Sequence, residues 1–315
     1  MKTVNIVLLG GLVMAFLSGC SVSSMHNLPA LEFDQVDYYR PVQTVQVRNI
    51  TVGYVEQGQG PAMLLIHGLG SNAKGWDRNI DAWSRSHRVI AVDLPGYGYS
   101  SKGPYEYSMS FYVTVLSELL DKLGEPDAVW VGHSMGGQIA MTAALERPEK
   151  VRKLVLFSPA GFERFDEGEG HWMTHALTPE FVRDTSTRGV AVNLHHNFHK
   201  MPPEAEFMIA DRLQVRGASD FMDYCYAVSR NVSAMIDGPV WSRLGEIAQP
   251  TLILFGENDA LIPNPYLHGG WTRDVAAIGE REIPRSELVM VPECGHFVQF
   301  ERPEYVNERV AGFVR

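Results

Sequence analysis

The chain has 315 residues, of which 45% are hydrophobic and 20% charged, a globular composition that excludes disordered, collagen-like and disulfide-dense chains. Its 37 acidic residues outnumber 27 basic ones, for a net charge of −10. No surplus of Lys and Arg exists to neutralise nucleic-acid phosphates or to form a polybasic membrane patch, so a nucleic-acid partner is not expected.

In chain order, Lys2 supplies a short positive start, and Val4 to Leu17 is an apolar run of signal-peptide length, too short to span a bilayer. Leu17-Ser18-Gly19-Cys20 then resembles a bacterial lipobox. That resemblance implies a lipoprotein signal peptide at 1–19, cleavage before Cys20 and lipidation of that cysteine. With Ser21 next, it implies sorting to the outer membrane of the bacterial cell envelope. Two acyl signals are enough for stable anchoring to the membrane. Residues 20–32 read as a tether, so the fold is expected to begin near residue 33.

Thr44–Val47 and Ile50–Glu56 read as a hairpin across Arg48-Asn49. Ala62–Ile66 is an apolar strand ending at His67-Gly68-Leu69-Gly70, followed by a helical segment near Trp76–Arg85 and a strand at Arg88–Val92. Ser108 caps a helix running to about Leu123 and stopped by Gly124. Ala128–Val131 is a strand, Met135–Glu146 a helix and Lys153–Phe157 a strand. The pattern breaks from about Phe162 to Leu244 and resumes with a strand at Thr251–Phe255, a helical stretch at Pro263–Ile278, a strand at Glu287–Val291 and a helix at Pro303–Val314. Continuous apolar strands alternating with helices predict an α/β fold with a mostly parallel sheet covered on both faces. The break is about 80 residues, too long for a loop, and predicts an inserted helical cap at 162–244 in a core of 33–161 and 245–315.

Gly132-His133-Ser134-Met135-Gly136 matches G-x-S-x-G between a predicted strand and a predicted helix, the context that motif requires. A serine hydroxyl needs a base to become a nucleophile at neutral pH. His296 and Asp259 each follow a predicted strand, and the chain order Ser134, Asp259, His296 is that of α/β-hydrolases. Three residues at the C-terminal ends of parallel strands converge on one sheet edge, where open α/β sheets bind ligands. The backbone N–H groups of Met135 and Leu69 are the expected oxyanion-hole donors.

HGLG, DLPGYGYS, GHSMGG, PTLILFGENDALIP and CGHFVQFERPEYV together resemble the α/β-hydrolase superfamily over residues 40–315. GHSMGG with Pro250-Thr251-Leu252 is most similar to bacterial family V esterases and lipases. The resemblance implies the α/β-hydrolase fold with a helical cap after the sixth strand. It implies hydrolysis of small-molecule or lipid carboxylic esters through an acyl-serine, with no cofactor. Dehalogenases and epoxide hydrolases of the superfamily carry aspartate where Ser134 stands, so serine points to acyl chemistry. Carbon–carbon bond hydrolases share the Ser-Asp-His pattern, and they stand with acyltransferases as the alternative. A non-catalytic binding module on the same fold is the third reading.

Phe297, Phe162 and Trp172 are the expected substrate-binding residues of an acyl pocket. His171-Trp172-Met173-Thr174-His175 lacks the glutamate of a zinc-protease helix, so no metal is assigned to it or to His195, His196 and His199. Cys225 and Cys294 are expected as free, partly buried thiols, with a disulfide between them as the alternative. Asp93 is expected to order its loop.

Overall fold

The computed structural model of the chain describes residues 28–315. The signal-peptide reading, Cys20 and most of the tether lie outside those residues. Eight strands form one sheet in the spatial order β1-β2-β4-β3-β5-β6-β7-β8. They are β1 Val42–Val47, β2 Ile50–Gln57, β3 Ala62–Ile66, β4 Arg88–Val92, β5 Ala128–His133, β6 Val151–Phe157, β7 Thr251–Gly256 and β8 Ser286–Val291. β2 runs antiparallel to β1 and β4, and all other pairs are parallel. β3, β5 and β7 are buried at every position, which explains why they read as unbroken apolar runs. β8 lies at the sheet edge and is half-buried.

Helices α1 Asp77–Trp83, α2 Met109–Lys122 and α3 Met135–Glu146 cover the first half of the sheet. Ser108 caps α2 by accepting the Phe111 N–H at 3.0 Å, a contact typically worth about 1 kcal/mol. Between β6 and β7 the chain forms α4 Glu167–Ala176, α5 Pro179–Asp184, α6 Thr187–His196, α7 Phe207–Gln214 and α8 Phe221–Asp237, and contributes no strand. α9 Thr272–Glu282, the single turn α10 Val298–Glu301 and α11 Pro303–Val314 complete the chain.

One predicted element is corrected. The stretch 263–271 is not helical, and α9 begins only at Thr272. Pro263, Asn264-Pro265 and Gly269-Gly270 break the helix, the two glycines with φ of 59° and 116°. Within the expected tether, residues 29–32 are fastened to the helical insertion. Leu31 N donates to Gln214 O at 3.1 Å, and Glu32 accepts both the N–H and the hydroxyl of Ser219 at 2.9 Å. No helix among the described residues is long and apolar enough to cross a membrane.

Candidate active site

Ser134 occupies the single residue between β5 and α3, at φ 54° and ψ −119°. A non-glycine residue held there costs about 1–3 kcal/mol, so the surroundings must enforce it. Ser134 N donates to Phe157 O at 2.9 Å, and Ser134 O accepts the N–H groups of Gly137 and Ala160 at 2.9 and 3.0 Å. Gly136 permits the tight packing, because a Cβ there would strike the carbonyl oxygens of Ile66 and His67. The turn thus presents Ser134 at the head of α3, where the helix dipole favours negative charge.

Asp259 and His296 meet. His296 Nδ1 donates to Asp259 Oδ2 at 2.7 Å, with both side chains essentially buried. Asp259 Oδ1 accepts the N–H groups of Leu261 and Ile262 at 2.8 and 3.1 Å, so the carboxylate is fixed by three donors. Asp259 follows β7, and His296 follows β8, each at the C-terminal end of its strand. Among the described residues, no hydrogen bond joins Ser134 Oγ to the His296 ring. Such contacts commonly tighten only when substrate binds.

The loop after β3 lies against the serine. A Cβ on Gly68 would come within 3.0 Å of Ser134 Cβ. Among the described residues, the N–H groups of Leu69 and Met135 make no hydrogen bond, which leaves both donors available. His67 sets the loop's shape. Its Nδ1 donates to Gly68 O at 2.8 Å, so its Nε2 is left to accept Leu94 N–H at 3.1 Å. Asp93 holds the same loop from below. It accepts Ala73 N–H and Tyr99 N–H at 2.7 Å and the Tyr38 hydroxyl at 3.0 Å, while burial pushes its carboxyl up to about 6.

Burial pushes the His67 imidazole down from 6.5 to about 4. The fold therefore favours the neutral ring, whose contribution is complete above pH 6.5 and is lost as pH falls through about 4. That contribution is of the order of 3 kcal/mol. In thermal denaturation the wild type is expected to lose Tm relative to His67→Gln as pH falls across this window, because Asp93, raised to about 6, works in the opposite sense in both proteins.

A cavity adjoins the two loops, lined by Leu69, Asn72, Asn197, Phe207, Arg212 and Phe297 among others. Of the three residues expected in an acyl pocket, Phe297 lines this cavity. Phe162 and Trp172 do not. Phe162 is fully buried in the core against Phe255 and Gly279, and Trp172 is half-exposed on α4. Residues not singled out from sequence approach the site from the helical insertion. Arg212 on α7 donates to Gly70 O, and its neighbour Asp211 pairs with the buried Lys74 at 2.8 Å. His133, inside the G-x-S-x-G motif, bonds His296 O at 3.1 Å through Nε2. Its ring, buried beside His296, is held well below the ordinary histidine range by desolvation. Cys225 and Cys294 are free and buried, and burial pushes the Cys225 thiol up to about 11. The His171 and His175 rings lie 3.9 Å apart, tilted by 31°, and no group of three or more metal-ligating side chains occurs among the described residues.

A parallel sheet that carries serine on a strained strand-to-helix turn, with a bonded histidine and aspartate at the same edge, defines a hydrolase of α/β architecture. The chain belongs to the α/β-hydrolase fold family, whose model matches residues 61–303. It is 32% identical to a 2-hydroxy-6-oxononadienedioate/2-hydroxy-6-oxononatrienedioate hydrolase of Burkholderia vietnamiensis, over 84% of this chain and 91% of the relative. It is 28% identical to a pimeloyl-[acyl-carrier protein] methyl ester esterase of Nitrosospira multiformis, over 83% and 98%. Among solved structures it is similar to a bacterial membrane phospholipase A, with TM-score 0.71, 26% identity and coverage of 87% and 85%.

Proposed function

We propose that this chain is a serine hydrolase that cleaves carboxylic esters through an acyl-Ser134 intermediate. The observation that carries the reading is the buried 2.7 Å bond between His296 and Asp259 at the sheet edge that bears Ser134. In the forward step His296 Nε2 takes the Ser134 proton as Oγ attacks the ester carbonyl. Asp259 fixes the tautomer with the proton on Nδ1 and stabilises the imidazolium. The Leu69 and Met135 N–H groups receive the oxyanion, each such donor typically worth about 10²–10³ in turnover. His296 then protonates the leaving alcohol and activates the water that releases the acid. The esterase and phospholipase relatives support this choice of substrate. The lipobox at Leu17–Cys20 supports anchoring in the bacterial envelope, with a membrane lipid ester within reach.

A second reading, carbon–carbon bond hydrolysis, is favoured by the 32% identical relative and by Arg212, a guanidinium lining the cavity and suited to a substrate carboxylate. Rates on p-nitrophenyl esters with acyl chains of two to sixteen carbons, set beside a vinylogous diketone acid, separate the two. The ester reading expects kcat/KM higher on its best ester by tenfold or more. Preference for the diketone acid overturns it, and transfer of the acyl group to an added alcohol in preference to water makes the enzyme an acyltransferase.

A further inference from the structure

We propose that Glu301 is a positioning residue. One carboxylate clamps the segment Asn197–Lys200 of the helical insertion onto the loop that carries His296, and so fixes His296 against Asp259. The inference rests on the reading of His296 as the base.

The loop from Glu293 to Phe297 has no regular structure of its own, and three consecutive backbone N–H groups around the histidine find distant acceptors. Gly295 N donates to Glu301 Oε2 at 2.8 Å. His296 N and Phe297 N both donate to Asn197 O, at 2.8 and 3.1 Å. The same Glu301 carboxylate reaches the segment that supplies Asn197. It accepts His199 N–H at 3.1 Å and Lys200 N–H at 2.7 Å. Three N–H groups from two segments thus converge on one carboxylate, and charge-assisted bonds of this kind are roughly twice as strong as neutral ones. Glu301 N donates to Phe297 O at 2.8 Å, which ties the carboxylate's own backbone to the loop it holds. The approach is close. A Cβ on Gly295 would strike the backbone of Phe198 and His199, and the Phe198 ring stacks on Phe297 at 5.2 Å and 13°. The 2.7 Å contact of His296 with Asp259 therefore depends on a loop whose backbone is held from outside, by Asn197 O and by Glu301.

The test is Glu301→Gln, which keeps size and shape but turns an amide NH2 towards N–H donors. On a soluble p-nitrophenyl ester, kcat is expected to fall about 10- to 100-fold with KM within about threefold, since misplacing a reacting group by about 1 Å costs about that much. In wild type the proton shared by His296 and Asp259 is expected as a low-field ¹H resonance, broadened or lost in the variant. Glu301→Asp, which keeps the charge, is expected to recover part of both. Wild-type kcat with an unchanged resonance, even with a lowered Tm, overturns the proposal. Full activity in Ser134→Ala would instead overturn the hydrolase reading, and the resonance would still report on the clamp.

Discussion

Replacing Ser134 by alanine is expected to lower kcat on the best ester substrate by about 10⁵-fold or more, with little change in KM. The hydroxyl is the only group lost, and the turn that presents it is held by backbone bonds that alanine retains: N–H to Phe157 O, and C=O to Gly137 and Ala160. The folded state is therefore expected to survive, as read by Tm. Fluorophosphonate labelling, followed by mass spectrometry, is expected to modify the wild-type protein at Ser134 and to leave the variant unmodified. A variant that keeps its rate would remove Ser134 from the chemistry and turn attention to a water nucleophile or to a binding role.

Asp259→Asn is expected to lower kcat by about 10⁴-fold while leaving the fold in place. Asparagine oxygen can still accept the N–H groups of Leu261 and Ile262, so the loop after β7 keeps its shape. Its NH2 group, however, then faces His296 Nδ1. The imidazole must accept there, which moves its proton to Nε2, and an Nε2 that already carries a proton cannot take the one from Ser134. Steady-state rates together with Tm check the point. Loss of activity at unchanged Tm is the expected pair, whereas a small rate loss would mean that His296 is oriented by the clamp alone.

Much of this was legible in the sequence, for local reasons. The central strands are buried on both faces and so appear as unbroken apolar runs, and Ser108 announces the start of its helix. Ser134, Asp259 and His296 each follow a strand, and a parallel sheet gathers strand ends without further information. The helical insertion was legible only as an insertion. Its contacts with the core span long separations: Lys74 meets Asp211 137 residues away, and Arg212 meets Gly70 142 residues away. Periodicity reports which face of a helix is apolar, not which loop that face will meet. For that reason Phe162 and Trp172 were expected in the pocket, while Asn197 and Arg212 were passed over. Glu301 carried a faint signal, an acidic residue five positions after His296. Nothing in the spacing says that its carboxylate turns back onto Gly295.

The fastening of residues 29–32 onto the helical insertion bears on how the molecule assembles. Glu32 and Ser219 are 187 positions apart, so this contact closes one of the longest loops in the chain. On a ribosome, the first strands and the serine turn can form while the partner of the N-terminal segment is still unsynthesised. Loop closure of that length is opposed by chain entropy, and it follows the local pairings that reward folding early. The amino-terminal segment is thus secured after the first strands but before the last ones exist, and it joins residues 29–32 to the middle of the chain.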